Sequence, residues 1–370
     1  MAKDKERREI YMSMLLRSLA ISLIGIFIPV YLVTLGFSIR IALVFLAVTY
    51  FCYLVFSPVA AEIAHRRGLK STIVISPFIT IVYIALLYSV RNYPYLLFPT
   101  AIVGGFASML YWIPINSHFA TNTDSKHVGE EAGYFHVAGR PAGIIGPLAG
   151  GLIITFLGFS MLYVVSIVLL LLCTVPLLFS KDHLAPLKRD WTDAFTKTNL
   201  SYMFFFSIQG VFAMCAALIF PFYVYLQTTN FETTGFVAAS MGVGMLVSSV
   251  LAGKISDRVG KHKTMRVAAV FNGLVWIAAL FFTSALSLYV LSVLIGLGVV
   301  LLDITIFGIF CDKIRTEKGK LAERVVFREV GLNIGRIFIF LSMAVLLTYA
   351  FELAFILAAA SSLFFAVTKY

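Results

Sequence analysis

The stretch Gly25-Ile26-Phe27-Ile28-Pro29-Val30-Tyr31-Leu32 is answered by Leu218-Ile219-Phe220-Pro221-Phe222-Tyr223-Val224-Tyr225-Leu226, and the two prolines stand 192 residues apart (221 − 29). The same shift carries Gly68 to Gly260, Gly104 to Gly296, Gly139 to Gly331 and Gly143 to Gly335. Glycine and proline cost stability inside helices, so their recurrence in apolar runs marks close approaches or kinks shared by two copies of one unit. The chain is read as a duplicated half-molecule. A membrane protein built from tandem halves is typically a transporter.

Composition agrees with a membrane solvent. Hydrophobic residues make up 60% of the chain and charged residues 13%, against roughly half and a quarter in soluble domains. Windows of about 20 apolar residues, enough to cross a hydrocarbon core of about 30 Å, fall near 10–35, 39–61, 70–90, 94–115, 131–155, 158–180, 199–226, 233–252, 264–284, 286–310, 325–349 and 350–368. These twelve are called spans 1 to 12 below. They lack the two-residue alternation of a barrel, which points to an all-α membrane protein of twelve transmembrane helices. Six spans separate equivalent residues, so the halves share one orientation and form a parallel repeat. The expected organisation is a six-helix half at 1–180, a linker at 181–198 and a second six-helix half at 199–370.

The net charge of +11 follows topology and does not call for nucleic acid. Segments on the side of the N-terminus carry Lys3, Lys5, Arg7 and Arg8, then Arg66, Arg67 and Lys70, and in the second half Lys254, Arg258, Lys261, Lys263, Arg266 and Lys313 through Arg324. The opposite loops carry only Arg40 and Arg91. By the positive-inside rule, both termini of a multi-pass plasma-membrane protein are expected in the cytoplasm. The charged start runs into a long span without a small-residue cleavage site, so no removable leader is expected. Cys52, Cys173, Cys215 and Cys311 show no metal-ligand spacing, and neither a metal nor a cofactor is expected.

The segment Gly253-Lys254-Ile255-Ser256-Asp257-Arg258-Val259-Gly260-Lys261 resembles the G-x-x-x-D-R-x-G-[RK] signature of the major facilitator superfamily. That signature recurs between helices 2 and 3 and between helices 8 and 9 of the fold. Gly253 is expected to turn the loop, and Asp257 to sit against a helix N-terminus where its charge is favoured. The first-half copy departs from the pattern, with Ala61 for the first glycine and His65 for the acid, and Glu62 offers a shifted negative charge. Span 5 carries Gly133, Gly139, Gly143, Gly146, Pro147, Gly150 and Gly151, similar to the G-x8-G-x3-G-P-x2-G-G motif of exporters in the superfamily and deviating at Ala142. Two readings stand: close helix packing whatever the cargo, and an export signature. The arginine of span 4 common in proton-coupled drug exporters is absent. Together the resemblance implies two six-helix halves that move a small molecule by alternating access, as a monomer in the lipid bilayer.

Charges inside the spans are the candidate site, because each costs about 2.5–3.5 kcal/mol at a bilayer centre unless it has a cavity, a partner or an escape to the interface. Arg17, Arg140 and Asp303 lie about 10–13 Å from the cytoplasmic end and Arg336 about 16 Å, at about 1.5 Å per residue. Arg328 and Glu329, barely one turn in, are expected to snorkel to the surface. Arg336 follows Asn333 and Gly335 and has the planar fork that grips a carboxylate or phosphate. Asp303 stands where the repeat places Tyr111. Unpaired, it would favour the neutral form and suit a proton carrier; paired with Arg140 or Arg336, it would stay ionised. Tyr111 and Trp112, on a helix that the fold sets at the cavity, are expected substrate contacts.

No nucleotide-binding motif is present, so the energy is expected from a gradient, with protons as coupling ion and export as direction. Uptake or exchange of an organic anion is the rival. An enzyme would need a cluster of acids or histidines at working spacing, and none is seen. A transporter-derived receptor or scaffold would be expected to carry an appended domain or long tail.

Overall fold

The computed structural model describes residues 2–122, 139–178, 197–282, 284–316 and 321–368. Among them the chain is helical throughout, in two six-helix halves. Span 1 runs as Ala2–Gly25 and Ile28–Thr34, span 2 as Ile39–Arg67, span 3 as Leu69–Ser89 and span 4 as Leu97–Asn122. Spans 5 and 6 fall within Arg140–Leu178, which breaks at Gly158 with non-helical backbone (φ 77°, ψ 174°). Span 7 comprises Lys197–Met214, a π-helical turn Cys215–Ile219 and Phe220–Thr228. Phe231–Val259, Lys261–Ala279, Ala285–Thr316, Leu321–Val345 and Ala350–Val367 form spans 8 to 12.

Nine described stretches meet both the length and the apolarity of a crossing helix. One of them, 141–177, contains the break at Gly158 and supplies two spans. Spans 9 and 11 complete the twelve although they miss that standard: the first opens on Lys261, Lys263 and Arg266, and the second carries Arg324, Arg328, Glu329 and Arg336. The 181–198 linker lies almost wholly outside the described residues, as does Gly133.

The repeat is visible in the backbone. Proline lacks an N–H and clashes with the carbonyl four residues earlier. Span 1 accordingly breaks at Gly25–Phe27, before Pro29, and span 7 widens into its π-turn immediately before Pro221. Gly68 and Gly260 both adopt positive φ (90° and 92°) between consecutive helices, a conformation in which a side chain would be strained. This corrects the expectation for Gly253. That residue lies inside the helix Phe231–Val259, and Gly260 makes the turn.

Small residues set the seams. A Cβ placed on Gly146 would run into Ser22, and one on Gly150 would stand 2.5 Å from the Leu23 carbonyl oxygen, so this face of span 5 lies directly on span 1. A second face crosses to the other half: a Cβ on Gly151 would meet the Phe231 oxygen at 2.6 Å, and Gly235 and Gly242 of span 8 would meet the Pro147 and Gly143 oxygens at 2.5 and 2.7 Å. Span 11 packs against span 2 at the other seam. Three described glycines of the span 5 motif, Gly146, Gly150 and Gly151, thus lie where a Cβ would crowd a neighbouring helix. Gly143 lends its carbonyl to Gly242, but a Cβ of its own would meet nothing within 4 Å.

Candidate substrate and coupling site

Along span 11, side chains meet the first half at successive depths. Val326 joins a buried cluster with Ala60, Ala61, Met109, Leu110 and Ile113 of spans 2 and 4. One turn further, Glu329 accepts a hydrogen bond from Asn116 Nδ2 of span 4 at 3.3 Å. Phe340 then stacks on Tyr50 of span 2 at 5.7 Å and 8°, and at the far end Arg40 Nε donates to the Ala344 carbonyl at 3.1 Å. On that far face Val30, Phe222 and Tyr225, the residues that follow the two prolines, are buried together and join spans 1 and 7. Arg336 lies between these two sets of contacts along span 11.

Arg17 is 5% exposed and lays its guanidinium over the Tyr111 ring, 3.5 Å from the centroid. Its Nε is buried without a hydrogen-bond partner. In the second half Gln209 Nε2 donates to Asp303 Oδ1 at 2.6 Å. These contacts are one contact in two chemical forms, since adding 192 to Arg17 gives Gln209 and to Tyr111 gives Asp303. A cation on an aromatic ring in spans 1 and 4 became an amide on a carboxylate in spans 7 and 10.

Among the described residues Asp303 is not paired with Arg336. Arg336 donates through Nη1 to Asn333 Oδ1 at 3.0 Å and lies 5.4 Å from the Tyr50 ring centroid, and the side chain of Arg140 lies outside the described residues. The reason is sequence separation of the wrong kind: a side chain three residues away on the same helix face is always within reach of Arg336, whereas Gln209 reaches Asp303 only because spans 7 and 10 are packed.

Glu329 and Arg328 do not snorkel. Glu329 is 5% exposed and takes Arg328 Nη1 at 2.9 Å in addition to Asn116. Arg328 is enclosed by Phe206, Phe307 and Phe310, with ring centroids at 5.7, 5.1 and 5.7 Å. Arg324, read from the sequence as a loop charge, is 7% exposed, donates to Asn199 Oδ1 and faces the Tyr202 ring at 5.1 Å. Spans 7 and 10 bring aromatic rings to these charges and spans 4 and 7 bring polar partners, with Arg328 Nε alone among their nitrogens buried without a hydrogen-bond partner.

Tyr53 links the two halves of the polar interior. Its hydroxyl donates to Ser108 Oγ at 2.7 Å, and Arg17, Arg336 and Glu329 all lie within its electrostatic reach. Tyr50, Tyr53, Ser108 and Gln209 were not singled out in the sequence. Gln209 could have been found by applying the repeat shift to Arg17; a Tyr or Ser in an apolar helix carries no such signal. Of the expected aromatic contacts, Tyr111 meets Arg17, while Trp112 meets Tyr111 edge-on at 5.4 Å and is itself 42% exposed. Glu62 of the degenerate first-half loop pairs with Arg66. The side chains of Gly253's neighbours Asp257 and Arg258 lie outside the described residues, so the expected contact of Asp257 does too.

The family model described as Major Facilitator Superfamily matches residues 10–319 and 205–370. The multidrug resistance protein MdtG of Escherichia coli O17:K52:H18 (strain UMN026 / ExPEC) is 24% identical over 375 residues, covering 95% of this chain and 90% of its own. Two solved structures share the fold: a bacterial homologue of the iron transporter ferroportin in an outward-facing state, at TM-score 0.73, 12% identity and 98% coverage of both chains, and the transporter FucP in the outward conformation, at TM-score 0.71, 14% identity and 97% coverage of both.

Proposed function

The chain belongs to the major facilitator superfamily, and from that premise we propose that it is a secondary active transporter that exports a small molecule in exchange for protons by alternating access. The carrying observation is the interior row of charged and polar side chains, with Arg17 on Tyr111, Gln209 on Asp303, and Asn116 joining the halves to Glu329. Such groups are expensive in a bilayer and are retained where solute or ions pass. Export is supported by the likeness to MdtG, a protein named for multidrug resistance, and by the glycine pattern of span 5.

In this reading the two halves rock about a central substrate site. The buried contact of Val30 with Phe222 and Tyr225 is the seal at the outer face and must open in the other state. Asp303 is the proton carrier: Gln209 Nε2 occupies its Oδ1 in this structure, and a shift of span 7 against span 10 that breaks this bond opens the carboxylate to a proton. Asp257 and the turn at Gly260–Lys261 act as the cytoplasmic gate. The functional unit is one chain in the plasma membrane. Exchange of an organic anion is the second reading, favoured by Arg17 and Arg336.

Proteoliposomes holding a pH-sensitive dye test the proposal. Addition of a transported solute is expected to move protons across the membrane, and a solute panel that moves none would overturn the coupled-transport reading. Orientation is tested separately. Single cysteines at Arg91 and at Lys263, both exposed, are placed in a background with the 4 native cysteines replaced. In intact cells the impermeant reagent is expected to label Arg91→Cys and spare Lys263→Cys; the reverse pattern would invert the assigned sidedness.

A further inference from the structure

Two interior arginines have no carboxylate. The ion pairs formed among the described residues are Arg66–Glu62 and Arg328–Glu329. The remaining interior acid, Asp303, receives Gln209. Arg17 has only a ring beneath it and an unpartnered Nε, and Arg336 has only the neutral Asn333 and the Tyr50 ring, again with an unpartnered Nε. Asn333, 0% exposed, adds an unpartnered Nδ2 donor. Burying a guanidinium without an opposite charge is costly, and an aromatic face compensates only part of that cost. Among the described residues, no carboxylate pairs with either arginine.

Tyr53 connects the two arginines, which belong to different halves: its hydroxyl donates to Ser108 Oγ at 2.7 Å, one turn before the Tyr111 that lies under Arg17, and its ring lies 4.9 Å from that of Tyr50, which faces Arg336. The atoms left without a partner around these arginines include the donors Arg17 Nε, Arg336 Nε and Asn333 Nδ2, while the acceptor Gln209 Oε1 belongs to the amide that holds Asp303. The Tyr111 and Tyr50 rings lie against the two guanidiniums, and Phe340 stacks on Tyr50. Donors with two positive charges and aromatic surroundings match one kind of occupant.

We propose that Arg17 and Arg336 together receive the carboxylate of an aromatic organic anion, whose ring system lies against Tyr111, Tyr50 and Phe340. This rests on the transporter reading and names its substrate class. A guanidinium from each half makes the site depend on the relative position of the halves, so the anion is held best when both converge and is released when rocking withdraws one of them. It also gives the bound anion a role in coupling, because filling the site removes the excess positive charge that the two arginines impose on the interior.

The test compares three molecules with one ring and different charge: 1-naphthoate, 1-naphthamide and 1-naphthylmethylammonium. Each is titrated against the purified wild-type protein in detergent while its melting temperature is followed. The naphthoate is expected to stabilise with at least tenfold lower half-saturating concentration than the amide, and the ammonium compound to give no shift. Arg17→Gln and Arg336→Gln should each weaken naphthoate at least tenfold, and Arg17→Lys, which keeps charge but not the planar stack, should fall between. A cationic compound that binds as well as the anion overturns the proposal, as does a wild-type protein indifferent to naphthoate or naphthoate binding that survives both glutamine substitutions. The wild-type series needs no variant to fold. Because binding is read without a gradient, loss of the transport reading would appear as binding without proton movement. Failure of the anion proposal would appear as proton movement with other solutes and no preference for the carboxylate.

Discussion

Asp303→Asn is expected to reduce pH-gradient-driven flux in proteoliposomes to the level of protein-free vesicles, while gradient-independent counterflow of substrate persists. The substitution is nearly isosteric, and its Oδ1 can still accept the bond that Gln209 Nε2 makes at 2.6 Å, so packing between spans 7 and 10 is retained. What is removed is the ability to gain and lose a proton. The effect should be close to complete because the other interior carboxylate described, Glu329, is committed to Arg328 at 2.9 Å and to Asn116. Glu329→Gln separates the two acids: it should weaken the contact between halves without abolishing the pH-driven component. Flux that survives Asp303→Asn and vanishes in Glu329→Gln would transfer the carrier role to Glu329. Flux that survives both would remove protonation of these acids from the mechanism.

The second large effect is expected at a pair of glycines that the repeat makes equivalent. A Cβ at Gly335 would overlap the carbonyl oxygen of Ser207, and its neighbours Gly210 and Gly331 make comparable approaches to Leu332 and Met203, so spans 7 and 11 touch backbone to backbone. Gly335→Ala should force these helices apart at a cost of about 1–3 kcal/mol, the usual range for overpacking. It should also displace the adjacent Arg336 and Asn333 and lower substrate affinity. At Gly143, 192 residues earlier, an added Cβ meets nothing within 4 Å. Gly143→Ala should therefore be neutral or slightly stabilising, since alanine gains up to about 1 kcal/mol over glycine in a helix interior. Melting temperature and monodispersity in detergent measure both. Equal losses at the two positions would mean that the seam at Gly335 is not the tight one.

The comparison of these two glycines shows where sequence reasoning stops. Gly143 and Gly335 are matched by the shift of 192 residues although their flanking residues differ, with Pro141 and Pro147 near the first and Asn333 and Arg336 beside the second, and neither spacing nor flanks reveals which one bears a neighbouring backbone. The same holds for Glu329, which the sequence places one turn inside the membrane. At that depth a carboxylate can reach water or turn inward, and the choice depends on Asn116, 213 residues away. Asp303 was legible as an interior acid, and the structure supplied its partner Gln209 on a different helix. The Arg17–Tyr111 contact joins two residues that were each singled out but not paired.

The sequence by itself determined the properties that belong to single residues or short windows. Apolar windows pointed to twelve helices, the shift of 192 residues to two copies, and Pro29 and Pro221 to distortions in spans 1 and 7, whereas the turn expected at Gly253 was placed at Gly260 by the structure. Each of these rests on backbone sterics or on transfer of a window from water to hydrocarbon, which act locally. The tertiary structure alone decided which charge meets which partner and which glycine bears a neighbouring backbone. Those outcomes depend on the rotation of each helix about its axis. In a bilayer the lipid-facing and protein-facing sides of a helix are both apolar, so the periodic contrast that reports rotation in a soluble helix is largely lost. Only packing among the helices sets it.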